Sequence, residues 1–126
     1  MVISRMSTTT VNNPDCIFCQ IATGAIPATV VADDGELMAF PDIHPRAPVH
    51  LIIIPKAHVM RSVAEMTDDQ TALLGRMIAL AKKLAEEKGI ADDGYRLVFN
   101  VRHHGGQEVD HVHLHLLGGQ PLGPLG

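Results

Sequence analysis

The chain has 126 residues, 46% of them hydrophobic, and a formal net charge of −4, which predicts one globular domain. An acidic balance disfavours a nucleic acid or an anionic membrane as the main partner, because both attract basic surfaces. No stretch approaches the roughly 18 apolar residues that span a bilayer. A small phosphate ligand remains compatible with this charge, since a few dipoles and side chains can hold it.

A polar N-terminal segment precedes the first predicted helix. Residues 1–13 are rich in Thr and Asn and show no periodicity, so we expect a flexible leader followed by a single domain over 14–126. Asp15 is placed to cap a short helix that contains both cysteines, and Gly24 is placed to end it.

Three strands and a stiff loop are predicted next. Residues 28–32 and 37–40 have the composition of strands, and the Asp-Asp-Gly sequence at 33–35 between them is a hairpin turn signal. Residues 41–48 contain three prolines and predict a rigid loop. The apolar run that follows predicts a buried strand over 50–54.

The longest predicted element is a helix over residues 67–88. Thr67 and Gln70 have the spacing of a capping box at its start, and Gly89 is placed to stop it. Apolar residues recur at helical spacing and predict one buried stripe. The stripe consists of Leu73, Leu74, Met77, Ile78, Ala81, Leu84 and Ala85.

Two further strands are predicted, over residues 95–101 and 108–117. Strands before and after one long helix are typical of the α+β class. We therefore expect a mostly antiparallel five-stranded sheet with one long helix and a short N-terminal helix.

The most informative segment is His111-Val-His-Leu-His-Leu-Leu117. Side chains alternate between the two faces of a strand, so we expect His111, His113 and His115 on one face and the apolar residues between them on the other. Such a row fits an all-histidine metal site, nucleophilic or acid–base chemistry on a phosphate, or plain polar surface. Thr, Lys or Glu would solubilise a strand at less cost, which disfavours the third interpretation.

A glycine pair lies just before the histidines, in Gly105-Gly-Gln107. Glycine lets the backbone approach a ligand closely, and consecutive backbone N–H groups can bind an anion. The same three residues could form an ordinary tight turn. Together with the histidines they favour phosphate chemistry, since imidazole is neutral and nucleophilic near pH 7 with an unperturbed pKa of about 6.5.

Several separate motifs, in order, resemble the histidine triad (HIT) superfamily of nucleotide hydrolases and transferases, and specifically its histidine triad nucleotide-binding branch. The resemblance implies the HIT-like fold, a homodimer whose sheets join edge to edge, and a covalent nucleotidyl-histidine intermediate. It also implies a purine nucleoside phosphoramidate or acyl-nucleotide substrate, of AMP or GMP type. Besides the histidine and glycine segments, the motifs are Asp42-Ile-His-Pro-Arg-Ala-Pro-Val-His50, Ile54-Pro-Lys-Ala-His58, Gly94-Tyr-Arg-Leu-Val-Phe-Asn100 and Gly118-Gly119.

The resemblance implies catalytic roles for four residues. His113 matches the nucleophile, and His115 matches the residue that contacts the phosphate and helps to protonate the leaving group. His50 matches a supporting histidine, and Gln107 matches a phosphate contact within the catalytic group. Because the chain has no magnesium motif and no P-loop, we expect the reaction to need no metal.

Further residues match nucleotide contacts. Asn100 and the backbone N–H of Glu108 match phosphate contacts, and Asp42 matches the carboxylate that accepts from the ribose hydroxyls. A role in a turn is the alternative for Asp42. Four apolar residues match the walls of the base pocket, and ordinary core packing is the alternative for them. These four are Phe18, Ile21, Phe40 and Ile43.

Cys16 and Cys19 have the spacing of half a zinc site. A redox pair and two buried thiols are the alternatives. Some HIT members hold a structural zinc with two such cysteines and two histidines, and the matching histidines here are His58 and His111. The resemblance therefore implies a structural zinc. The chain also begins without a recognisable secretory signal and has only two cysteines, so we expect a cytoplasmic protein.

Two positions depart from the family pattern, and two rival functions remain. Glu108 stands where some members have Ser, and Asp110 stands where an aromatic residue is usual, which affects substrate preference more than reaction class. A non-catalytic nucleotide-sensing or scaffold protein would use the same pocket. A hydrolase with a metal on all three triad histidines is the second rival, and chelation would abolish its activity.

Overall fold

The structure, a computed structural model, describes residues 13–125. The predicted leader thus lies outside the described residues, except for Asn13. The two α-helices and five strands are α1 (Ile17–Thr23), β1 (Ala32–Asp33), β2 (Leu37–Pro41), β3 (Val49–Pro55), α2 (Thr71–Glu87), β4 (Tyr95–Val98) and β5 (Leu114–Gly118).

The strands form one sheet in the order β1-β2-β3-β5-β4, and every neighbouring pair is antiparallel. The predicted α+β class with a five-stranded sheet is therefore confirmed. β3 is central and buried along almost its whole length, whereas β4 forms one edge of the sheet. Neither helix in this part of the chain has the length and apolar character that crossing a membrane requires.

The two faces of the sheet carry different cores. Helix α2 covers one face, where its apolar stripe packs with Leu51, Leu114 and Leu116. Helix α1 covers the other face, where Phe18 packs with Phe40 and other apolar residues of β2 and β3. Residues that alternate along β3 and β5 thus point either to the large core beneath α2 or to the smaller one beneath α1.

Helix α2 begins and ends close to the predicted positions. A 3₁₀ turn (Asp68–Gln70) precedes it, and the side chain of Gln70 accepts a hydrogen bond from the backbone N–H of Thr67 at 2.9 Å. Gly89 follows its end with φ 74°, a value that favours glycine. The residues of the predicted stripe are buried, except for Ile78. Its side chain is 45% exposed, because it lies at the margin of the stripe.

Several predicted element ends were wrong. The first strand covers Ala32–Asp33 rather than 28–32, since upstream of it a single bond from Val31 N to Ala39 O joins the sheet. β4 stops at Val98 and β5 begins only at Leu114, because the β3 ladder ends at the Ile53–Leu114 pair. Helix α1 is capped by Cys16, whose sulfur accepts from the N–H of Cys19, and not by Asp15.

Candidate active site and metal-binding cluster

The three histidines of the triad lie on the face of the sheet that α1 covers. His111 and His113 precede β5 and His115 lies within it, while Val112 and Leu114 between them point into the core beneath α2. The predicted alternation is therefore confirmed, although the regular strand begins later than expected. The rings of His113 and His115 approach to 5.0 Å between centroids.

The side chain of His113 is held in one tautomer. Its Nδ1 lies 2.7 Å from the backbone oxygen of His111, and because a carbonyl only accepts, Nδ1 carries the proton. Burial lowers the pKa of His113 below its usual value, against the opposing effect of that hydrogen bond, so the ring is neutral at pH 7. Nε2 therefore has a free lone pair, the requirement for a nucleophile. The ring is 5% exposed and packs edge-on against Phe18, with centroids 5.0 Å apart.

A second hydrogen-bonded chain fixes His50 and His115. The backbone N–H of Arg46 donates to Nδ1 of His50 at 3.1 Å, so neutral His50 carries its proton on Nε2. That Nε2 lies 2.9 Å from Nδ1 of His115, which must accept. Burial, and then the neighbouring His113 and His50, lower the pKa of His115 to about 4. Neutral His115 thus carries its proton on Nε2 and can donate it.

Asp42 lies beside this chain. One carboxylate oxygen is 3.4 Å from Nε2 of His50, and the other accepts the backbone N–H of His44 at 2.8 Å. Ligand atoms of Asp42, His50 and His115 lie within 4.8 Å of one another, as a metal site would require. The N–H of Arg46 argues against that use, because it leaves the Nε2 of neutral His50 protonated and without a lone pair.

The glycine loop is built around two side-chain amides. Asn100 donates from Nδ2 to the backbone oxygen of Gly105 at 2.7 Å. Gln107 donates to the backbone oxygens of Arg61 and Val109 and accepts the N–H of Arg102. Both predicted phosphate contacts therefore bind the backbone of the loop and its neighbours.

The structure brings together three of the four residues predicted to form the base pocket. Phe18 and Phe40 are buried with ring centroids 5.6 Å apart, and Ile21 packs against the same cluster. Ile43 does not join them: it is 82% exposed, on the loop between β2 and β3. Core packing therefore accounts for the two phenylalanines, but it cannot account for Ile43.

The four predicted metal ligands form one cluster. Ligand atoms of Cys16, Cys19, His58 and His111 all lie within 4.8 Å of one another. Nδ1 of His111 is 3.3 Å from the sulfur of Cys16 and 3.5 Å from that of Cys19, whose sulfur is 3.3 Å from Nδ1 of His58. Such spacings between ligand atoms suit a tetrahedral ion with bonds of about 2.0–2.3 Å.

The protonation of this cluster also suits a metal. Nε2 of His111 lies 2.7 Å from the backbone oxygen of Pro55 and must donate to it, which leaves the lone pair on Nδ1 facing the thiols. Burial lowers the pKa of His111 to about 4, so the ring is neutral. Two thiols and two imidazoles are a common ligand set of structural zinc. Within residues 13–125, no group of potential metal ligands contains His111, His113 and His115 together. This argues against a hydrolase that binds its metal with all three triad histidines.

Some features near these residues were not predicted from the sequence. A cavity of about 360 Å³ lies beside Cys16, His58 and Glu108 rather than in front of His113. The N–H of Asn13 donates to the sulfur of Cys19 at 3.3 Å. The backbone N–H of Arg46, which donates to His50, was not predicted, and the three-proline loop over residues 41–48 was the only signal for it.

Comparisons with known proteins identify a family and close relatives of this chain. The family described as "Scavenger mRNA decapping enzyme C-term binding" matches residues 15–123. A purine nucleoside phosphoramidase of Escherichia coli (strain K12) is 49% identical over 111 residues, which cover 88% of this chain and 92% of that protein.

Two solved structures share the fold. A HIT family hydrolase from Legionella pneumophila Philadelphia 1 is 54% identical with a TM-score of 0.82, over 85% of this chain and 95% of that one. A histidine triad protein from Clostridium difficile is 38% identical with a TM-score of 0.87, over 91% and 99% of the two chains. With its histidines on one face of the same sheet, this chain belongs to the histidine triad (HIT) family.

Proposed function

We propose that this protein hydrolyses purine nucleoside phosphoramidates and acyl-nucleotides through a covalent nucleotidyl intermediate on His113. The observation that carries the proposal is the hydrogen bond from Nδ1 of His113 to the backbone oxygen of His111, which leaves Nε2 unprotonated. The name of the Escherichia coli relative, purine nucleoside phosphoramidase, supports the substrate class.

The proposed hydrolysis of a phosphoramidate has two steps: transfer of the nucleotidyl group to His113, and hydrolysis of the resulting intermediate. In the first, the Nε2 lone pair of His113 bonds to phosphorus and the bond from phosphorus to the leaving amine breaks. The amine takes the proton from Nε2 of His115, which leaves the His50–His115 pair one proton short. In the second, water attacks the phosphorus and its released proton returns to His115. The bond to His113 then breaks, which restores the lone pair and frees the nucleotide.

The nucleotide, of AMP or GMP type, would lie across the face that carries His113. The N–H of Glu108 has no acceptor within residues 13–125, which makes it a donor for a phosphate oxygen. Asp42 has a carboxylate at the edge of the histidine pair, where ribose hydroxyls could donate to it. Ile43 offers an exposed apolar side chain for the base, on the loop that follows the β2 strand of Phe40.

We further propose that Cys16, Cys19, His58 and His111 hold a structural zinc that takes no part in the reaction. The bound metal would connect α1 with the segment before β5, and no catalytic step needs it. His111 is the link to the active site, because its side chain faces the thiols while its backbone oxygen orients His113.

A homodimer and a cytoplasmic location complete the proposal. β4 is an edge strand with one side unpaired within the described chain, so a second copy could extend the sheet there. Analytical ultracentrifugation of the wild type and of a Leu97→Pro variant tests this, and a monomeric wild type would refute it. Two free thiols, as found at Cys16 and Cys19, are usual in a reducing compartment.

Mass spectrometry tests the enzymatic proposal. After rapid mixing with an adenosine phosphoramidate and acid quench, the wild type should gain the mass of one adenylyl group, and His113→Ala should not. His44→Ala is the matched control, because His44 is exposed and contributes only its backbone N–H to Asp42. An adduct on His113→Ala would reassign the nucleophile, and wild type without turnover would refute the activity.

A further inference from the structure

The glycine loop contains a strained residue that is not glycine. Arg102 has φ 58° and ψ −172°, and it is the only non-glycine residue with positive φ among residues 13–125. This backbone region is essentially restricted to glycine, because a Cβ atom is crowded there. Such a conformation persists only where surrounding contacts hold it in place.

Gln107 supplies those contacts. Its side-chain oxygen accepts the N–H of Arg102 at 2.8 Å, and its own backbone N–H donates to the oxygen of Arg102 at 3.1 Å. Its side-chain nitrogen donates to the oxygens of Arg61 at 2.6 Å and Val109 at 2.9 Å. Both amide hydrogens of Gln107 are therefore used by the backbone, and none is left for a phosphate.

We propose that Gln107 is a positioning residue that clamps Arg102 and the glycine loop, and that it does not bind the phosphate itself. This inference rests on the proposed function for its kinetic consequences. Gln107 joins the start of the loop at Arg102 to its end at Val109 and ties both to the neighbouring segment at Arg61.

The clamp bears on the nucleophile through short connections. The oxygen of Val109 also accepts the N–H of His111 at 2.9 Å, and the oxygen of His111 orients His113. The N–H of Glu108 lies between the two residues that Gln107 fixes. Preorganised donors stabilise the charge that develops in a transition state only when they are accurately placed.

Steady-state kinetics on a double-mutant cycle test the clamp. Gln107→Ala should lower kcat on the order of 10- to 100-fold, the effect of a misplacement of about 1 Å, while KM stays within about 3-fold. The loss should shrink at least about 3-fold in an Arg102→Gly background, because glycine adopts positive φ without a clamp. Arg102→Gly keeps the N–H that Gln107 binds.

Two kinetic outcomes would overturn the proposal. If Gln107→Ala raises KM and leaves kcat unchanged, the side chain binds the ground state of the substrate directly. If Gln107→Ala lowers kcat by the same factor in the wild-type and Arg102→Gly backgrounds, Gln107 does not act by holding Arg102 in place. Should Gln107→Ala fail to fold, Gln107→Glu serves instead, since it keeps the acceptor for Arg102 and loses both donors.

Amide hydrogen exchange tests the clamp without substrate. The Arg102 amide should exchange at least about 10-fold faster in Gln107→Ala, since its acceptor is lost. It should be unchanged in Gln20→Ala, a control in which a glutamine of α1 loses its hydrogen bond to the backbone oxygen of Pro14. Equal exchange in all three proteins would refute the clamp. A wild type that exchanges as expected but hydrolyses nothing would refute the proposed function alone.

Discussion

The backbone N–H of Arg46 lies 3.1 Å from Nδ1 of His50, and this contact decides which nitrogen of His50 carries the proton. His50 then donates to His115, so the proton of His115 must lie on the nitrogen that points away from His50. A rigid loop with prolines on both sides of Arg46 thus determines the donor that the active site presents.

Replacing Arg46 by proline should disturb this chain, since proline has no N–H. We expect His50 to populate both tautomers and kcat to fall on the order of 10-fold, a part of the 10²–10⁴ that acid–base groups contribute. The measurement combines ¹⁵N NMR of the imidazoles with steady-state kinetics. Arg46→Ala is the control, because it removes the guanidinium and keeps the N–H. A tautomer of His50 that is the same in all three proteins would disprove the role of this contact.

The free energy of unfolding should decrease as the pH is lowered, and His115 should contribute to this decrease. Its pKa is lowered from 6.5 to about 4 by burial and then by His113, His50 and Arg46, against an opposing effect of Asp42. Between these pH values the unfolded chain binds more protons, so this contribution is complete above about pH 6.5 and is lost as the pH falls to about 4. At ~1.4 kcal/mol per pKa unit it amounts to about 3 kcal/mol at most.

Urea unfolding at several pH values between 7 and 4 measures this effect. Other buried histidines also contribute to the slope of the wild type, so the comparison with His115→Asn isolates one of them. The variant should lose less stability than the wild type over this range. Parallel curves for the two proteins would mean that His115 titrates in the same way folded and unfolded.

Metal removal should affect stability more than the reaction. When the free zinc concentration is 1,000 times the Kd, binding adds about 4 kcal/mol to the free energy of unfolding. Chelation would remove this contribution. We expect a chelated sample to have a lower Tm, and kcat to stay within about 3-fold at temperatures where it remains folded. Cys19→Ser should weaken binding of Co²⁺, seen in its visible absorption. Loss of turnover from folded, metal-free protein would instead place the metal in the reaction.

The core and the site differ in how much of them local pattern could predict. The α2 stripe and the alternation of the triad follow from the periods of helix and strand, so both were predictable from single segments. The ends of β1 and β5 depend on partner strands, which a local pattern does not contain. This is why β5 starts at Leu114 although the alternation begins at His111.

Side-chain chemistry was also more predictable than backbone chemistry. The Cys16–Cys19 spacing predicted half of a metal site, and the family resemblance supplied His58 and His111; together they predicted the cluster that the structure contains. The N–H of Arg46 was not predicted, because its direction depends on the dihedral angles of a proline-rich loop rather than on residue type. The strain at Arg102 has the same origin, since nothing in the residue type indicates a positive φ.

Ile43 should matter for the substrate and not for the fold. It is 82% exposed, and surface substitutions of this kind usually change stability by no more than about 0.5 kcal/mol. If Ile43 contacts the base, Ile43→Ser should raise KM on the order of 10-fold, the equivalent of about 1.4 kcal/mol of lost contact, with kcat little changed. Ile78→Ser is the matched control, because Ile78 is also exposed but lies on α2, on the other face of the sheet. An unchanged KM in Ile43→Ser would remove this residue from the base pocket, and equal effects of the two substitutions would show that exposed isoleucines act by some means other than base binding.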